Sequence, residues 1–272
     1  MSKINAFKMH GLGNQFLIID RRTKDIELSK HQIQKISSNT STKFDQLLFL
    51  EKDLDDIVPI RIFNSNGIEV NACGNGARCV AYLLSLEKEK KNITLKTQER
   101  VLEANILSKK IVSIDMGKPL FSWDKIPLRE KLDTRNISLQ INKINFLNGF
   151  TLNIGNPHII FFVDDCFKLN FRDIGPKIEN HYIFPEKCNV TFSHLETKNK
   201  IFVNVWERGA GLTKACGTAA CATAIAGYEM GLSERNVQII FQEGKLNLEY
   251  KKDSSIIMSG PVSDINKINL EI

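Results

Sequence analysis

The chain has 272 residues, of which 42% are hydrophobic and 25% charged, with a formal net charge of +6. This balance is typical of a globular protein that buries one large core or two smaller ones. Basic and acidic residues are interleaved, and the densest charged run, 87–91, alternates in sign, so no nucleic-acid-binding patch is expected. No apolar run approaches the roughly 18 residues of a membrane helix, and the N-terminus lacks the apolar segment of an export signal. We therefore expect a cytoplasmic protein that binds neither membranes nor nucleic acid.

Short runs rich in β-branched and aromatic residues predict strands along most of the chain. In chain order the predicted strands are 16–20, 47–50, 58–63, 93–97, 111–116, 150–154, 158–163, 200–206, 238–241 and 256–258. Helical patterning is limited to 30–36, which Ser29 can cap, and to the stretches 77–86 and 219–226. The last stretch is apolar or small on every face, which indicates a helix buried inside a sheet.

The two halves of the chain repeat each other. Cys73 lies in Asn71-Ala72-Cys73-Gly74-Asn75 and Cys216 in Lys214-Ala215-Cys216-Gly217-Thr218, 143 residues apart (216 minus 73). Polar residues recur at nearly the same offset: Asn14 with Asn156, Gln46 with Asn189, and Asn64 with Glu207. The repeat predicts two α/β domains related by a pseudo-twofold axis, residues 1–118 and 119–261, with the last residues, 262–272, returning to the first domain.

Six cysteines in a cytoplasmic chain are expected to be reduced thiols, because disulfides are rare in that compartment. None forms Cys-x-x-Cys, and neither repeated cysteine has a histidine or cysteine at the spacing of a zinc site. The sequence therefore predicts no metal. A cysteine before a glycine is more often a packing residue than a catalyst. The matched settings of Cys73 and Cys216 favour catalysis for these two, whereas we expect Cys79, Cys166, Cys188 and Cys221 to be structural.

Each repeated cysteine precedes a helix, so Asn75 and Thr218 are expected to be N-caps or first-turn residues. A sulfur at a helix N-terminus is stabilised as a thiolate, which lowers its pKa from about 8.5 toward neutrality. The neighbouring amides would cradle a carboxylate and the negative charge that develops on it. Two acid/base groups at one carbon suit stereoinversion, in which a proton leaves one face and returns to the other. No lysine motif for a pyridoxal Schiff base stands out, so no cofactor is expected.

Longer motifs carry a family resemblance over essentially the whole chain; they are 8–14, 44–46, 64–78, 155–158, 206–209 and 215–218. The chain resembles diaminopimelate epimerases. The resemblance implies two α/β domains, each a curved mixed or antiparallel sheet wrapped round a central helix, in a homodimer. It also implies cofactor-independent interconversion of LL- and meso-diaminopimelate.

The same resemblance implies roles for individual residues. Cys73 and Cys216 would be the two bases, and His158 and Glu207 would tune their pKa values. The substrate contacts would be Asn14, Gln46, Asn64, Gly74, Asn75, Asn156, Asn189, Glu207, Arg208, Gly217 and Thr218. Taken singly, each asparagine is as readily a turn residue, and His158 a buried core histidine.

Arg208 breaks the internal symmetry, because Ser65 occupies the corresponding place in the first half. A guanidinium suits bidentate binding of a carboxylate, which favours a substrate with a second, distal carboxylate. An ion pair at the rim of the site is the ordinary alternative. A proline racemase-like enzyme, which shares the paired cysteines, and a non-catalytic thiol-redox or ligand-binding protein are the alternative functions. The last of these would incorporate no solvent deuterium into an amino acid.

Overall fold

The computed structural model describes residues 3–24, 26–70, 73–98 and 100–271, so Asn71 and Ala72 of the first cysteine motif lie outside the described residues. The chain divides into two units, Met1–Asp115 with Ser259–Ile272, and Met116–Met258. The expected boundaries, after residues 118 and 261, each lie three residues further along the chain.

Four α-helices are described: α1 (Lys30–Ser38), α2 (Gly74–Lys88), α3 (Phe171–Glu179) and α4 (Gly217–Glu229). The described strands are β1 (Lys3–Gly11), β2 (Asn14–Asp20), β3 (Gln46–Leu50), β4 (Ile57–Asn64), β5 (Glu69–Val70), β6 (Asn92–Lys96), β7 (Val101–Ser108), β8 (Ile111–Asp115), β9 (Ile137–Ile141), β10 (Ile144–Asn153), β11 (Pro157–Phe162), β12 (Asn189–Thr197), β13 (Lys200–Glu207), β14 (Gly211–Thr213), β15 (Asn236–Phe241), β16 (Gly244–Tyr250), β17 (Ile256–Pro261) and β18 (Asn266–Glu271). Every predicted strand overlaps one of these.

Strand pairing follows the same order in each unit. In the first unit β1 pairs antiparallel with β2, β2 parallel with β3, and β3 antiparallel with β4. β4 then pairs antiparallel with β5 and parallel with β6, and β6 antiparallel with β7. In the second unit the strands from β10 to β16 repeat these pairings one for one. The sequence repeat is therefore a repeat of sheet topology, and the sheets are mixed, as expected.

Helices α2 and α4 are the central helices of their units. Helix α2 contacts strands β1, β2, β6, β7 and β8, and helix α4 contacts β10, β11, β12, β15 and β16. The side chains from residue 74 to 85 of α2 and from 217 to 227 of α4 are buried. In α4, small residues on most faces allow strands to approach closely. The burial of both helices confirms the prediction of two buried helices.

The other two helices each connect a pair of parallel strands, α1 between β2 and β3 and α3 between β11 and β12. Helix α1 begins at the predicted cap: Ser29 Oγ accepts from the Gln32 backbone N–H at 3.3 Å, and Gln32 Oε1 accepts from the Ser29 N–H at 2.8 Å. The sequence does not predict α3, because Gly175 and Pro176 in its middle disfavour a helix. Burial of its apolar face in the core of the second unit outweighs that preference.

No helix in the described ranges is long and apolar enough to span a membrane.

Candidate active site

Cys73 is the N-cap of α2, and its backbone is extended with φ of −152°. Its Sγ accepts a hydrogen bond from the Gly76 backbone N–H at 3.2 Å, the contact that a serine or aspartate oxygen makes when it caps a helix. The sulfur thus lies at the positive end of the helix, as expected. The cap is the cysteine itself, and Asn75 lies in the first turn.

The polar residues predicted in the first unit pair with one another. Asn75 Nδ2 donates to Asn14 Oδ1 at 3.1 Å, and the fully buried Arg78 donates through Nη2 to Asn75 Oδ1 at 3.0 Å. A guanidinium can only donate, so Arg78 orients the Asn75 amide with its NH₂ group toward Asn14. On the neighbouring strands, Gln46 Nε2 donates to Asn64 Oδ1 at 3.0 Å. Arg78 is the last residue of the motif 64–78, and the sequence predicted no role for it.

Cys216 is the N-cap of α4 and is only 6% exposed. Its Sγ lies 3.4 Å from Thr218 Oγ1. Burial raises the pKa of the Cys216 thiol well above its ordinary value, and the Glu207 carboxylate raises it further. The Thr218 hydroxyl and the Ala219 backbone N–H lower the pKa but do not outweigh burial. The expected lowering toward neutrality is therefore wrong for Cys216, since desolvation opposes the thiolate more strongly than the helix end favours it.

Glu207 and Arg208 lie in the tight turn between β13 and β14, which the Ala210 N–H closes by donating to Glu207 O at 3.0 Å. Thr213 Oγ1 donates to the Glu207 carboxylate at 2.5 Å. The exposed Arg208 donates from its backbone N–H to Asn189 Oδ1 at 2.9 Å and from Nη1 to Glu186 O at 3.2 Å. Its backbone is thereby held by Asn189 and its guanidinium by Glu186, both in the second unit.

His158 is fully buried, and its Nε2 lies 2.8 Å from Asn156 Oδ1. Burial, followed by the charge of Arg208, lowers the pKa of His158 to about 3. The imidazole is therefore neutral near pH 7, and because an amide oxygen only accepts, Nε2 carries the proton. The Asn189 amide donates to Pro157 O at 3.0 Å and so joins this segment to the Arg208 turn. The tuning role of His158 stays a prediction.

Each unit therefore gathers its own predicted residues: the amides near Cys73 in the first, and Glu207, Thr218, Asn189 and Arg208 in the second. The remaining cysteines lie away from the helix starts, and burial raises the pKa of Cys79 and of Cys166 to about 12. Within the described ranges, no three His, Cys, Asp or Glu side chains come together in a way that could hold a metal ion.

The fold is shared with solved structures of distant sequence. A phenazine biosynthesis protein of the PhzF family from Bacillus anthracis superposes with a TM-score of 0.72 over 100% of both chains at 16% identity. A probable proline racemase from Agrobacterium radiobacter K84 superposes with a TM-score of 0.70, covering 99% of this chain and 93% of that one, at 10% identity. The chain thus has the duplicated α/β fold of these proteins. At such low identity the likeness shows the fold alone.

Sequence similarity identifies the family. The diaminopimelate epimerase family model matches residues 6–122 and 150–265. A diaminopimelate epimerase of Pelagibacter ubique (strain HTCC1062) is 49% identical over 272 residues, 99% of each chain. The chain belongs to the diaminopimelate epimerase family. An epimerase is an isomerase that inverts one of several stereocentres, so family membership identifies the chain as an isomerase.

Proposed function

We propose that the protein epimerises LL-diaminopimelate to meso-diaminopimelate by a two-base mechanism that uses Cys73 and Cys216. The observation that carries the proposal is the repeated geometry in which a cysteine is the N-cap of the buried helix of each unit. Matched acid/base groups are what inversion at one carbon requires. One sulfur, as thiolate, removes the α-proton from one face, and the other, as thiol, donates a proton to the opposite face.

The two sulfurs begin the reaction in different protonation states. Burial and the Glu207 carboxylate hold the pKa of Cys216 high, so Cys216 starts as the thiol. Cys73, which is half-buried and accepts the Gly76 N–H, starts as the thiolate base for one direction of the reaction. After proton transfer the states are exchanged, and the reverse reaction uses the opposite assignment.

An α-proton beside a carboxylate is weakly acidic, so the negative charge that develops on the carboxylate must be stabilised. The first backbone N–H groups of a helix have no intrahelical acceptor. Those of Gly74 and Asn75 in α2 and of Gly217 and Thr218 in α4 would donate to the carboxylate oxygens as charge builds on them. This stabilisation is the chemical reason why the proposed mechanism uses no cofactor.

Diaminopimelate carries an ammonium and a carboxylate at both ends, and the proposal assigns the unreacting carboxylate to Arg208. The exposed guanidinium has donors to spare beyond its bond to Glu186 O. The amides of Asn14, Gln46, Asn64, Asn156 and Asn189 complete the proposed substrate contacts. The family resemblance further supports a cytoplasmic homodimer, and light scattering of the purified protein would test the dimer.

Proton NMR of diaminopimelate with the reduced protein in deuterium oxide tests the function directly. We expect the α-proton signal to disappear while the LL and meso isomers interconvert. Exchange into proline but not diaminopimelate would replace the proposal with a proline racemase. No deuterium incorporation into any amino acid would instead favour a non-catalytic thiol protein.

A further inference from the structure

Glu179 is a buried carboxylate in an unfavourable local position. It is 5% exposed and is the last residue of α3. A negative charge at a helix C-terminus faces the negative end of the helix dipole, and burying a carboxylate costs hydration free energy. Lys177, the basic residue of the last turn, bonds Asp173, so the reason for a glutamate here lies in its tertiary contacts.

Both carboxylate oxygens of Glu179 accept hydrogen bonds from residues that flank Glu207 and Arg208, one at the end of β13 and one in the turn. Oε2 accepts from the indole Nε1–H of Trp206 at 2.7 Å, and Oε1 accepts from the backbone N–H of Gly209 at 2.9 Å. The two donors immediately flank Glu207 and Arg208 in sequence. Glu179 therefore holds the turn at its beginning and at its end.

The face of α3 is shaped for this contact. Phe171, Gly175 and Glu179 recur at intervals of four residues and so lie along one side of the helix. A Cβ atom at Gly175 would lie 2.6 Å from Trp206 Cδ2, so the indole packs directly on the glycine backbone. The Phe171 ring centroid is 6.4 Å from that of Trp206. Gly175 thus leaves room for the indole of Trp206, and Glu179, one turn later, accepts the indole N–H.

In the corresponding turn of the first unit the hydrogen bonds run in the opposite direction, because the helix donates them and the turn accepts them. There, α1 supplies donors: Ser37 Oγ donates to Ser65 O at 3.1 Å, and Gln34 Nε2 donates to Asn66 O at 3.0 Å. No carboxylate is needed to hold backbone carbonyls. The buried glutamate accompanies only the turn in which Arg208 replaces Ser65.

We propose that Glu179 is a positioning residue that fixes the Arg208 turn and thereby determines preference for a substrate with a distal carboxylate. This inference rests on the proposed function. A glutamine at this position keeps one acceptor oxygen but turns an NH₂ group toward the second N–H donor. Glu179→Gln therefore releases one end of the turn without removing side-chain volume.

A double-mutant cycle with Arg208→Met separates positioning from general stability. We expect Glu179→Gln to lower kcat/KM for diaminopimelate by roughly tenfold or more, mainly through KM, and to change it less than about threefold when Arg208 is already methionine. Asp173→Asn is the matched control, because Asp173 lies on the opposite side of α3 and bonds Asn142 and Lys177. It should leave kinetics unchanged.

A rescue variant tests the hydrogen-bond geometry itself. In Glu179→Gln/Trp206→Phe the indole donor is gone, so the glutamine oxygen can turn to the Gly209 N–H. We expect the double variant to be more active than Glu179→Gln alone. Equal loss from Glu179→Gln in both Arg208 backgrounds, or no rescue by Trp206→Phe, would overturn the proposal.

Hydrogen exchange measured by NMR tests the two hydrogen bonds of Glu179 without requiring turnover. The chain has two tryptophans, so Trp206→Phe assigns the Trp206 indole N–H signal. We expect faster exchange of the Trp206 indole or the Gly209 amide in Glu179→Gln and no change in Asp173→Asn. Unchanged protection of both groups would overturn the inference even if wild type epimerises diaminopimelate. Conversely, an inactive wild type would refute the proposed function while the exchange rates still report on Glu179.

Discussion

Cys73 and Cys216 begin their helices in the same way but have different neighbours. Near Cys73, the sulfur accepts from a helix amide, and the Asn75 amide, which Arg78 orients, donates to Asn14. Cys216 is more deeply buried and has the Glu207 carboxylate beside it. The repeat places both sulfurs at helix N-termini, whereas burial and the Glu207 carboxylate raise the pKa of Cys216. In the proposed two-base reaction one sulfur must accept a proton while the other donates one.

Removing either sulfur should have the largest effect. We expect Cys73→Ala and Cys216→Ala each to reduce epimerisation by about 10²- to 10⁴-fold, since general acid/base groups contribute that much, with unchanged circular dichroism. Cys79→Ala is the control, a buried cysteine of α2 that should retain near wild-type activity. If Cys216→Ala kept more than half of wild-type turnover in both directions, the two-base mechanism would be wrong.

Arg208→Met should have the next largest effect, because it deletes the residue at which the two turns differ most. Loss of a charge-assisted hydrogen bond typically lowers kcat/KM roughly tenfold to a hundredfold. We expect that loss with diaminopimelate, and the variant should also lose most of the wild-type preference for diaminopimelate over lysine. Ser65→Ala, at the corresponding place in the first unit, serves as the control. Unchanged diaminopimelate kinetics in Arg208→Met would exclude the distal-carboxylate assignment.

Glu207→Gln should remove one of the two causes that raise the pKa of Cys216. The Glu207 carboxylate raises the pKa of Cys216, so its replacement by a neutral amide should lower that pKa. The rate of Cys216 alkylation, followed by mass spectrometry in a Cys73→Ala background, should then rise at lower pH than in the parent. Glu243→Gln, which removes a surface carboxylate paired with Lys214 at 2.9 Å, should not shift the profile. A profile that moves to higher pH, or does not move, would contradict the assignment.

His158 and Phe16 allow the two units to be compared at a single position, because Phe16 pairs with β3 at the register at which His158 pairs with β12. We expect the smallest effect here. The pKa of His158 falls from 6.5 to about 3 on folding. Between these values the unfolded chain binds a proton that the folded protein does not, so His158 makes the free energy of unfolding decrease as pH falls through this window. Above it, the contribution is constant.

His158→Phe should therefore have a shallower dependence of stability on pH between 6.5 and 3 than wild type, measured by urea denaturation. His31→Gln, which changes an exposed histidine of α1, is the control. Parallel stability profiles for wild type and His158→Phe would show that His158 takes up no extra proton on unfolding.

Most of the central strands and three of the four described helices could be predicted from the sequence, because their local patterns agree with their final environment. Strands such as β7 and β16 were not predicted, although they alternate buried and exposed residues with the period of a half-buried strand, because the prediction followed runs rich in β-branched and aromatic residues. Helix α3 was missed for a different reason. Its glycine and proline disfavour a helix locally, yet the glycine is what lets Trp206 pack on it.

The sequence alone determined the duplication, the two cysteines at helix starts and the asymmetry at Arg208. These features follow from comparing short motifs that recur in the two halves at a nearly constant offset. Only the tertiary structure decided the direction of the pKa shift of Cys216 and the way in which the Arg208 turn is held. The raised pKa of Cys216 depends on burial and on Glu207, which is nine residues earlier in the chain. The support of the Arg208 turn depends on Glu179, which belongs to a helix that local propensity disfavours. Desolvation and long-range hydrogen bonds arise only from packing, so no local motif encodes them.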